Sequence, residues 1–214
     1  RQDRIVGAGC IEVGPKYRHH TGACYRQAHY YPGNKPIITK LVIDQESHHI
    51  LGAQVIGTGV VDKPIDTIAA VMTLGGRVED LAKLDLAYAP PFSMAMSSSI
   101  MAANVMLNKL ESKVHTMTSK ELQEKMKNNE INIVDVREEV ECFIAAIPGS
   151  VNIPLVELEA RLQEIDPSKE TVLVCKVGKR AFLAYLKLKQ LGLQMSVYWR
   201  EASMLIPINW SRRK

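Results

Sequence analysis

The chain is organised around the stretch Thr-Val-Leu-Val-Cys-Lys-Val-Gly-Lys-Arg at residues 171–180. Its first four residues predict a short buried strand, and the apolar spacing of residues 182–191 predicts a helix. Cys175 therefore lies where a strand ends, just ahead of a helix. The N–H groups in the first turn of a helix have no intrahelical partner and stabilise an anion placed before them. Because the loop also carries basic residues, Cys175 is expected to favour the thiolate, which is the nucleophilic form.

Packing alone is the competing interpretation of Cys175, because free cysteine is among the most buried residue types. Spacing alone favours neither interpretation. The whole loop favours a reactive cysteine, since residues 175–180 resemble the six-residue active-site loop of rhodanese modules, the single-domain sulfurtransferases. That loop opens with the persulfide cysteine and closes with arginine. Residues 135–138 resemble the family's Asp-Val-Arg-Glu, and residues 147–154 resemble its Ile-Pro-Gly-Ala-Xaa-Asn-Ile-Pro segment, so three matches occur in the family's order.

The resemblance implies that Cys175 carries the transferred sulfur as a persulfide. The residues that would surround this persulfide or another anion are Lys176, Val177, Gly178, Lys179 and Arg180. Asp135 and Arg137 would support the loop. Arg137 and Arg180 can also act as ligands, although pairing of Arg137 with Asp135 and backbone carbonyls is favoured. The expected partners are small sulfur donors and acceptors, namely thiosulfate and coenzyme A or other low-molecular-weight persulfides, and the loop lysines favour anionic donors or coenzyme A-linked persulfides.

Two departures from the rhodanese pattern are expected to weaken catalysis. The family usually has Gly-His-Ile before Pro-Gly, whereas this chain has Ala145-Ala146-Ile147 and so lacks the histidine. The family's last strand usually leads into a Gly-Gly turn beside the active site, whereas residues 199–204 read Trp-Arg-Glu-Ala-Ser-Met. Losing those glycines is expected to narrow or reshape the pocket.

The first half of the chain predicts an antiparallel sheet with helices. β-Rich runs at residues 36–44 and 50–57 flank a polar turn and predict a hairpin. A further strand is expected at residues 22–30, and helices are expected at residues 63–74, 78–84 and 93–110. The Gly-Ala-Gly-Cys sequence at residues 7–10 does not complete the dinucleotide fingerprint, because Glu12 takes the place of its third glycine. A dinucleotide site is therefore rejected.

This half resembles the C-terminal dimerisation domain of pyridine nucleotide-disulfide oxidoreductases, in particular that of coenzyme A-disulfide reductases. The resemblance rests on Tyr-Tyr-Pro-Gly at residues 30–33, Ile-Leu-Gly-Ala-Gln at 50–54, Leu-Asp-Leu-Ala-Tyr-Ala-Pro-Pro-Phe-Ser at 84–93 and Met-Ala-Ala-Asn at 101–104. It implies a homodimer in which Tyr30 and Tyr88 lie on the coenzyme A side of the site. The sequence alone favours the competing interpretation, that both are half-buried turn tyrosines packing against the hairpin.

In that family, flavin- and nicotinamide-binding domains precede this region, and the chain shows none of their glycine fingerprints. FAD, NAD(P)H and coenzyme A are therefore expected only in the full-length family. No cofactor is predicted for this chain alone, and no reductase activity is expected from its 214 residues.

The composition gives no indication of nucleic-acid binding, membrane insertion or metal binding. The 27 basic and 23 acidic residues are spread over both halves, so no basic patch indicates nucleic-acid binding. No apolar run is long enough to span a bilayer and no signal peptide is visible, so no membrane partner is expected. The 4 cysteines stand at irregular positions, form no metal-binding pattern and fit a reducing compartment, so a cytoplasmic protein is expected.

The sequence thus predicts an α+β dimerisation domain at residues 1–111 and an α/β rhodanese-like domain with a parallel sheet at residues 116–214. In the second domain, helices are expected at residues 118–127 and 156–165, and a short helix is expected to open at residues 138–141. Strands are expected at residues 131–136, 151–154 and 195–199. The expected function is a persulfide-forming sulfurtransferase fused to the dimerisation domain of a flavin-dependent reductase of coenzyme A disulfide or persulfide. The alternative is a non-catalytic protein that dimerises and docks partners. A phosphatase of the same architecture ranks last, because such enzymes use a longer loop.

Overall fold

The structure is a computed structural model that describes residues 4–8, 17–28, 30–117, 119–176, 178–191 and 195–199. The contacts divide the chain into two compact units, Arg1–Lys113 and Val114–Lys214. None of the helices in the described ranges combines the length and the apolar character needed to cross a lipid bilayer.

A four-stranded antiparallel sheet forms the framework of the first unit, with the strand order β1-β4-β3-β2. Its strands are β1 (Arg4–Ala8), β2 (Tyr17–Tyr25), β3 (Pro36–Asp44) and β4 (Ile50–Gly57). The β3–β4 hairpin has the predicted bounds. Strand β2 begins earlier than predicted, because it pairs with the whole of β3, from Tyr17 opposite Asp44 to Tyr25 opposite Pro36.

Strand β1 was not predicted, and it pairs antiparallel with β4 at the edge of the sheet. Gly7 lies inside this antiparallel pairing, which is not the strand–turn–helix context of a dinucleotide site. Gly9, Cys10 and Glu12 lie outside the described residues.

Three helices complete the first unit: α1 (Asp62–Thr73), α2 (Val78–Ala82) and α3 (Ser98–Leu110). Helix α3 was predicted to start at residue 93 but begins later, because Ser97 is its cap. The Ser97 Oγ accepts a hydrogen bond of 3.2 Å from the Ile100 N–H, which satisfies one of the helix's unpaired donors. The helices and one face of the sheet bury a common apolar core that includes Leu41, Val55, Ile68, Leu81 and Met106.

A five-stranded parallel sheet forms the second unit, with the strand order β5-β9-β8-β6-β7. Its strands are β5 (Thr116–Met117), β6 (Ile131–Asp135), β7 (Val151–Asn152), β8 (Glu170–Cys175) and β9 (Met195–Trp199), and its helices are α4 (Ser119–Lys127), α5 (Glu139–Ile144) and α6 (Lys179–Leu188). Alternate residues of β8 enter two different cores. Leu173 and Cys175 pack in the core that contains α6, and Val172 and Val174 pack in the core that contains Leu122 of α4. Both faces of the sheet are therefore covered, and the predicted fold class of the two units is confirmed.

The helix predicted at residues 156–165 is wrong. This segment is a series of turns that ends in a short 3-10 helix, Leu162–Glu164. Hydrogen bonds from the Glu157 N–H to the Pro154 carbonyl at 2.8 Å, and from the Ala160 N–H to the Glu157 carbonyl at 3.0 Å, span three residues instead of four. The apolar spacing still indicates burial correctly, since Leu158 and Ile165 both reach the core. Thr118, which opens the predicted capping box of α4, lies outside the described residues.

Candidate functional site

Cys175 is the last residue of β8, the central strand of the parallel sheet. Strand β6 is its neighbour, and Asp135 at the end of β6 stands opposite Val174. The Val136 N–H also donates to the Val174 carbonyl at 2.9 Å, which joins the two strand ends directly ahead of the cysteine. Because the strands are parallel, Asp135 and Cys175 emerge at the same edge of the sheet, where ligands bind in such folds.

The loop after Cys175 turns two backbone N–H groups towards its sulfur. The Gly178 N–H donates to the Cys175 Sγ at 3.1 Å, and the Ala181 N–H donates to it at 3.4 Å. Gly178 has a φ of 92° and stands just before the first residue of α6, a backbone conformation that glycine adopts without strain. The sulfur is thus a hydrogen-bond acceptor at a helix N-terminus, an arrangement that stabilises negative charge on it. The side chain is only 1% exposed.

The basic residues of the loop differ in their surroundings. Lys176 and Lys179 are exposed, and neither forms an ion pair with another described residue. The Arg180 Nη2 donates to the Glu141 Oε1 of α5 at 2.9 Å, and the two groups form a forked ion pair. Hydrogen bonding to Glu141 holds the pKa of Arg180 above its ordinary value, and hydrogen bonding to Arg180 holds the pKa of Glu141 below its ordinary value. Val177 lies outside the described residues.

Asp135 and Arg137 form a buried ion pair at the end of β6. The Arg137 Nη2 donates to the Asp135 Oδ2 at 2.6 Å, and its Nε donates to the Asp135 Oδ1 at 2.9 Å. The Arg137 Nη2 also donates to the Ala145 carbonyl at 2.7 Å. Burial alone would lower the pKa of Arg137, but hydrogen bonding to Asp135 keeps this pKa above its ordinary value. The structure therefore gives Arg137 the structural pairing that the sequence favours for it.

Two residues that the sequence analysis did not select also shape the site. Glu141 pairs with Arg180, as described above. The Asn152 Nδ2 donates to the carbonyl oxygens of Asp135 and Arg137, at 2.8 Å in each case, and so fixes the turn between them. Asn152 belongs to the segment that resembles the rhodanese pattern, and a polar residue between apolar neighbours was the available signal. No comparable signal marks Glu141, which is one of several acids around α5.

The first departure from the rhodanese pattern is filled by apolar packing. Ala146 and Ile147 are both buried, and the Ala145 carbonyl is used by Arg137. Cys142 is buried as well, and the Arg137 Nη2 lies 3.7 Å from its sulfur. The second departure, at residues 200–204, lies outside the described residues.

Tyr30 is more exposed than the sequence analysis favoured, whereas Tyr88 is about half exposed. Tyr30 precedes β3 and is 65% exposed, and Tyr88 lies between α2 and α3 and is 51% exposed. The Tyr30 ring lies with its centroid 5.5 Å from that of Tyr31. The expectation of a half-buried side chain is therefore wrong for Tyr30 and agrees with the exposure of Tyr88. Within the described residues, no group of three or more His, Cys, Asp or Glu side chains could hold a metal ion.

Two family models match separate parts of the chain. Residues 13–100 match the dimerisation domain of the pyridine nucleotide-disulphide oxidoreductases. Residues 118–204 match the rhodanese-like domain.

The curated relatives and solved structures that match the chain include reductases of coenzyme A disulfide and of persulfides. The chain is 42% identical over 78 residues to the NAD(P)H coenzyme A polysulfide/persulfide reductase of Pyrococcus horikoshii, a match that covers 36% of this chain and 17% of the relative. It is 36% identical over 66 residues to the coenzyme A disulfide reductase of Staphylococcus epidermidis, covering 31% and 15%. The NAD-dependent persulfide reductase of A. fulgidus superposes with a TM-score of 0.83 and 36% identity, covering 92% of this chain and 36% of that structure. Reduced CoADR-RHD of Bacillus anthracis gives the same TM-score of 0.83 and the same coverage of both chains at 31% identity. The chain thus spans about a third of the solved relatives.

Proposed function

For a chain that carries a pyridine nucleotide-disulphide oxidoreductase dimerisation domain followed by a rhodanese-like domain, we propose sulfur transfer through a persulfide on Cys175. The observation that carries the proposal is the position of the Cys175 Sγ, which accepts N–H groups from Gly178 and Ala181. Such donors stabilise a thiolate before the reaction and a negatively charged terminal sulfur after it. In this proposal residues 116–214 form the sulfurtransferase domain and residues 1–111 form the dimerisation domain.

The proposed reaction has two steps, and each exchanges one bond to sulfur. The Cys175 thiolate attacks the outer sulfur of a donor, a new S–S bond forms, and the donor's own bond to that sulfur breaks. The bonding electrons leave with the rest of the donor. A low-molecular-weight persulfide releases its thiol as a thiolate, and thiosulfate releases sulfite. An acceptor nucleophile then attacks the terminal sulfur and returns the Cys175 thiolate.

The other loop residues receive supporting roles. Gly178 directs its own N–H at the sulfur from the position just before α6, and the exposed Lys176 and Lys179 attract anionic donors. The Asp135–Arg137 pair, which is held by Asn152, keeps the end of β6 fixed beside Cys175. The names of the relatives support persulfides and coenzyme A derivatives as substrates, whereas thiosulfate has only its chemistry to support it.

The first unit supplies dimerisation in this proposal. Tyr30 and Tyr88 are exposed, and a phenol can donate a hydrogen bond to a thiolate, so both suit contact with the sulfur of coenzyme A. FAD and NAD(P)H would bind to other domains of a longer reductase, of which this chain would be the C-terminal part. The proposal places this chemistry in the cytoplasm, where thiols are kept reduced.

A docking protein without catalysis is the second candidate, and the burial of Cys175 favours it. Because the residue Cys175 is only 1% exposed, its sulfur is reached only by a slender donor or after a small movement of the loop. The converging N–H groups favour the enzyme, because packing alone does not require donors aimed at sulfur.

Intact-mass measurement after incubation with thiosulfate or a persulfide separates the two candidates. The enzyme proposal expects the mass of one sulfur atom to be gained by the wild type and by Cys24→Ser, and not by Cys175→Ser. Lack of a gain in the wild type, or retention of the gain in Cys175→Ser, would leave the docking interpretation.

A further inference from the structure

Among the described basic residues of the loop, Arg180 alone forms an ion pair with an acidic side chain. Its guanidinium faces the Glu141 carboxylate, at 2.9 Å for the Nη2–Oε1 pair, whereas Lys176 and Lys179 have no ion pair among the described residues. Arg180 directly precedes Ala181, whose N–H donates to the Cys175 sulfur at 3.4 Å. The Glu141 carboxylate therefore stands where an anionic group of a donor would contact Arg180.

We propose that Glu141 sets the donor preference of Cys175 by withholding Arg180 from anionic donors. This inference rests on the proposed sulfur transfer, and it makes Glu141 a positioning residue that acts through Arg180. While the ion pair is intact, Arg180 contributes little net positive charge, and the Glu141 carboxylate repels a second anion near the sulfur. A donor whose organic part is uncharged meets neither obstacle.

The Glu141–Arg180 pair contributes charge at the site more than support to the loop. The Glu141 Oε2 also accepts the Glu138 N–H at 3.2 Å in the capping box of α5, and the glutamine of Glu141→Gln retains an acceptor oxygen for that bond. Both side chains are partly solvent-exposed, at 30% for Arg180 and 28% for Glu141. The main scaffold of the loop is independent of them, because Gly178 and Ala181 reach the sulfur through backbone N–H groups. The buried Asp135–Arg137 pair anchors the neighbouring strand end. Removing the Glu141 charge should therefore change which molecule reaches the sulfur more than whether the loop forms.

Two alkylating reagents of nearly equal size test the inference without requiring sulfur transfer. Iodoacetate is an anion and iodoacetamide is neutral, and both react with a cysteine thiolate with loss of iodide. The rate of each at Cys175 is followed by peptide mass spectrometry in the wild-type chain, in Glu141→Gln and in Glu159→Gln. Glu159 pairs with Lys187 on the surface of the same unit and is the matched control.

In Glu141→Gln, the ratio of the iodoacetate rate to the iodoacetamide rate should rise about fivefold to tenfold, as expected for removal of one nearby charge. In Glu159→Gln the ratio should stay unchanged. A purely structural role for Glu141 would change both rates together and leave the ratio constant, and that result would overturn the inference.

The same variants are then loaded with sulfur from thiosulfate, a dianion, or from 2-hydroxyethyl persulfide, whose organic part is uncharged. In each case Cys175 takes the outer sulfur, and sulfite or 2-mercaptoethanol thiolate leaves. The rate with thiosulfate should rise in Glu141→Gln relative to the rate with the persulfide. If the alkylation ratio rises but neither donor loads Cys175, the proposed function fails and the electrostatic effect of Glu141 stands. If sulfur is loaded with unchanged preference, the function stands and the role of Glu141 is refuted.

Discussion

Cys24 of the first unit and Cys175 of the second are both buried, but their sulfur atoms have opposite hydrogen-bonding environments. Cys24 on β2 is 7% exposed, and its sulfur faces the Tyr25 carbonyl and the Met94 thioether, each at 3.5 Å. Cys175 is buried even more deeply, yet its sulfur faces two N–H donors. Acceptors around the Cys24 sulfur favour the neutral thiol, whereas the two N–H donors at Cys175 stabilise negative charge on its sulfur. Burial alone therefore says little about the chemistry of a cysteine, and the polarity of its neighbours says more.

The same contrast extends to neighbouring residues. On β2, burial raises the pKa of the Cys24 thiol to about 11 and lowers the pKa of the buried His20 well below its ordinary value, so both groups stay neutral. Around Cys175, in contrast, charges are kept and paired, as in the Asp135–Arg137 and Glu141–Arg180 pairs. Cys24 and His20 are thus held neutral on β2, whereas the residues around Cys175 include two ion pairs.

The largest expected effect is a loss of Cys175 reactivity when the N–H groups at its sulfur are displaced, which would remove the difference from Cys24. In Gly178→Ala, a side chain must adopt the left-handed conformation with φ 92°, which costs about 1 kcal/mol or more and tilts the N–H away from the sulfur. Alkylation and sulfur uptake at Cys175 should fall about tenfold to a hundredfold, towards the behaviour of Cys24. Gly75→Ala is the matched control, since Gly75 also has a positive φ, of 68°, and an added Cβ there would meet no other atom within 4 Å. Equal rates in Gly178→Ala and the wild type would show that these donors do not activate the sulfur.

A smaller effect is expected from the turn that supports the loop. Asn152→Ala leaves the Asp135 and Arg137 carbonyls without their donor, which should lower the free energy of unfolding of the second unit by about 1–3 kcal/mol. Urea titration followed by hydrogen exchange of peptides around residues 131–137 measures it. Sulfur uptake should fall less than in Gly178→Ala, because the N–H groups at the sulfur remain. Asn128→Ala, which loses only an exposed contact to Glu130, should change stability by less than about 0.5 kcal/mol. If the free energy of unfolding falls by a similar amount in both variants, Asn152 does not stabilise the site.

The smallest expected effect concerns the pH dependence of stability that the buried His20 on β2 contributes. The pKa of His20 in the folded chain lies well below its ordinary value of 6.5, chiefly because of burial and secondarily because of the charges of Lys109 and His19. The unfolded chain therefore takes up a proton first as the pH falls. Stability is full above pH 6.5 and is lost progressively below it until the folded pKa is reached, by at most about 1.4 kcal/mol per pH unit. In His20→Gln this part of the pH dependence should disappear from denaturation curves of the full chain. Parallel curves for the two proteins would show that His20 is not the titrating group.

Much of the fold followed from periodicity and turn chemistry. The hairpin of β3 and β4 and the strand β9 have the predicted bounds, because uninterrupted β-rich runs are flanked by clear turn signals. Residues 156–165 show where this fails, since the spacing of Leu158 and Ile165 indicates burial equally well for a helix and for successive turns. Strand β5 has two residues, which is too short to produce a pattern.

For the candidate site, the position of Cys175 at a strand end was predictable from local sequence. Its partners were not all predictable, because Glu141 and Asn152 act through contacts between residues distant in the chain. Glu141 is 39 positions from Arg180, and Asn152 is 17 positions from Asp135. Likewise the exposure of Tyr30 and Tyr88 depends on how their loops cross the surface, and their sequence neighbours do not determine it.

The hydrogen bond from the Val136 N–H to the Val174 carbonyl has a consequence for biosynthesis. The strand that carries Cys175 is made last of the two, and its sulfur meets the N–H groups of residues 178 and 181 only after α6 has docked. Before that point the Cys175 sulfur lacks both N–H donors. In the proposed sulfur transfer, a nascent or misfolded copy would therefore not take up sulfur that it could not pass on.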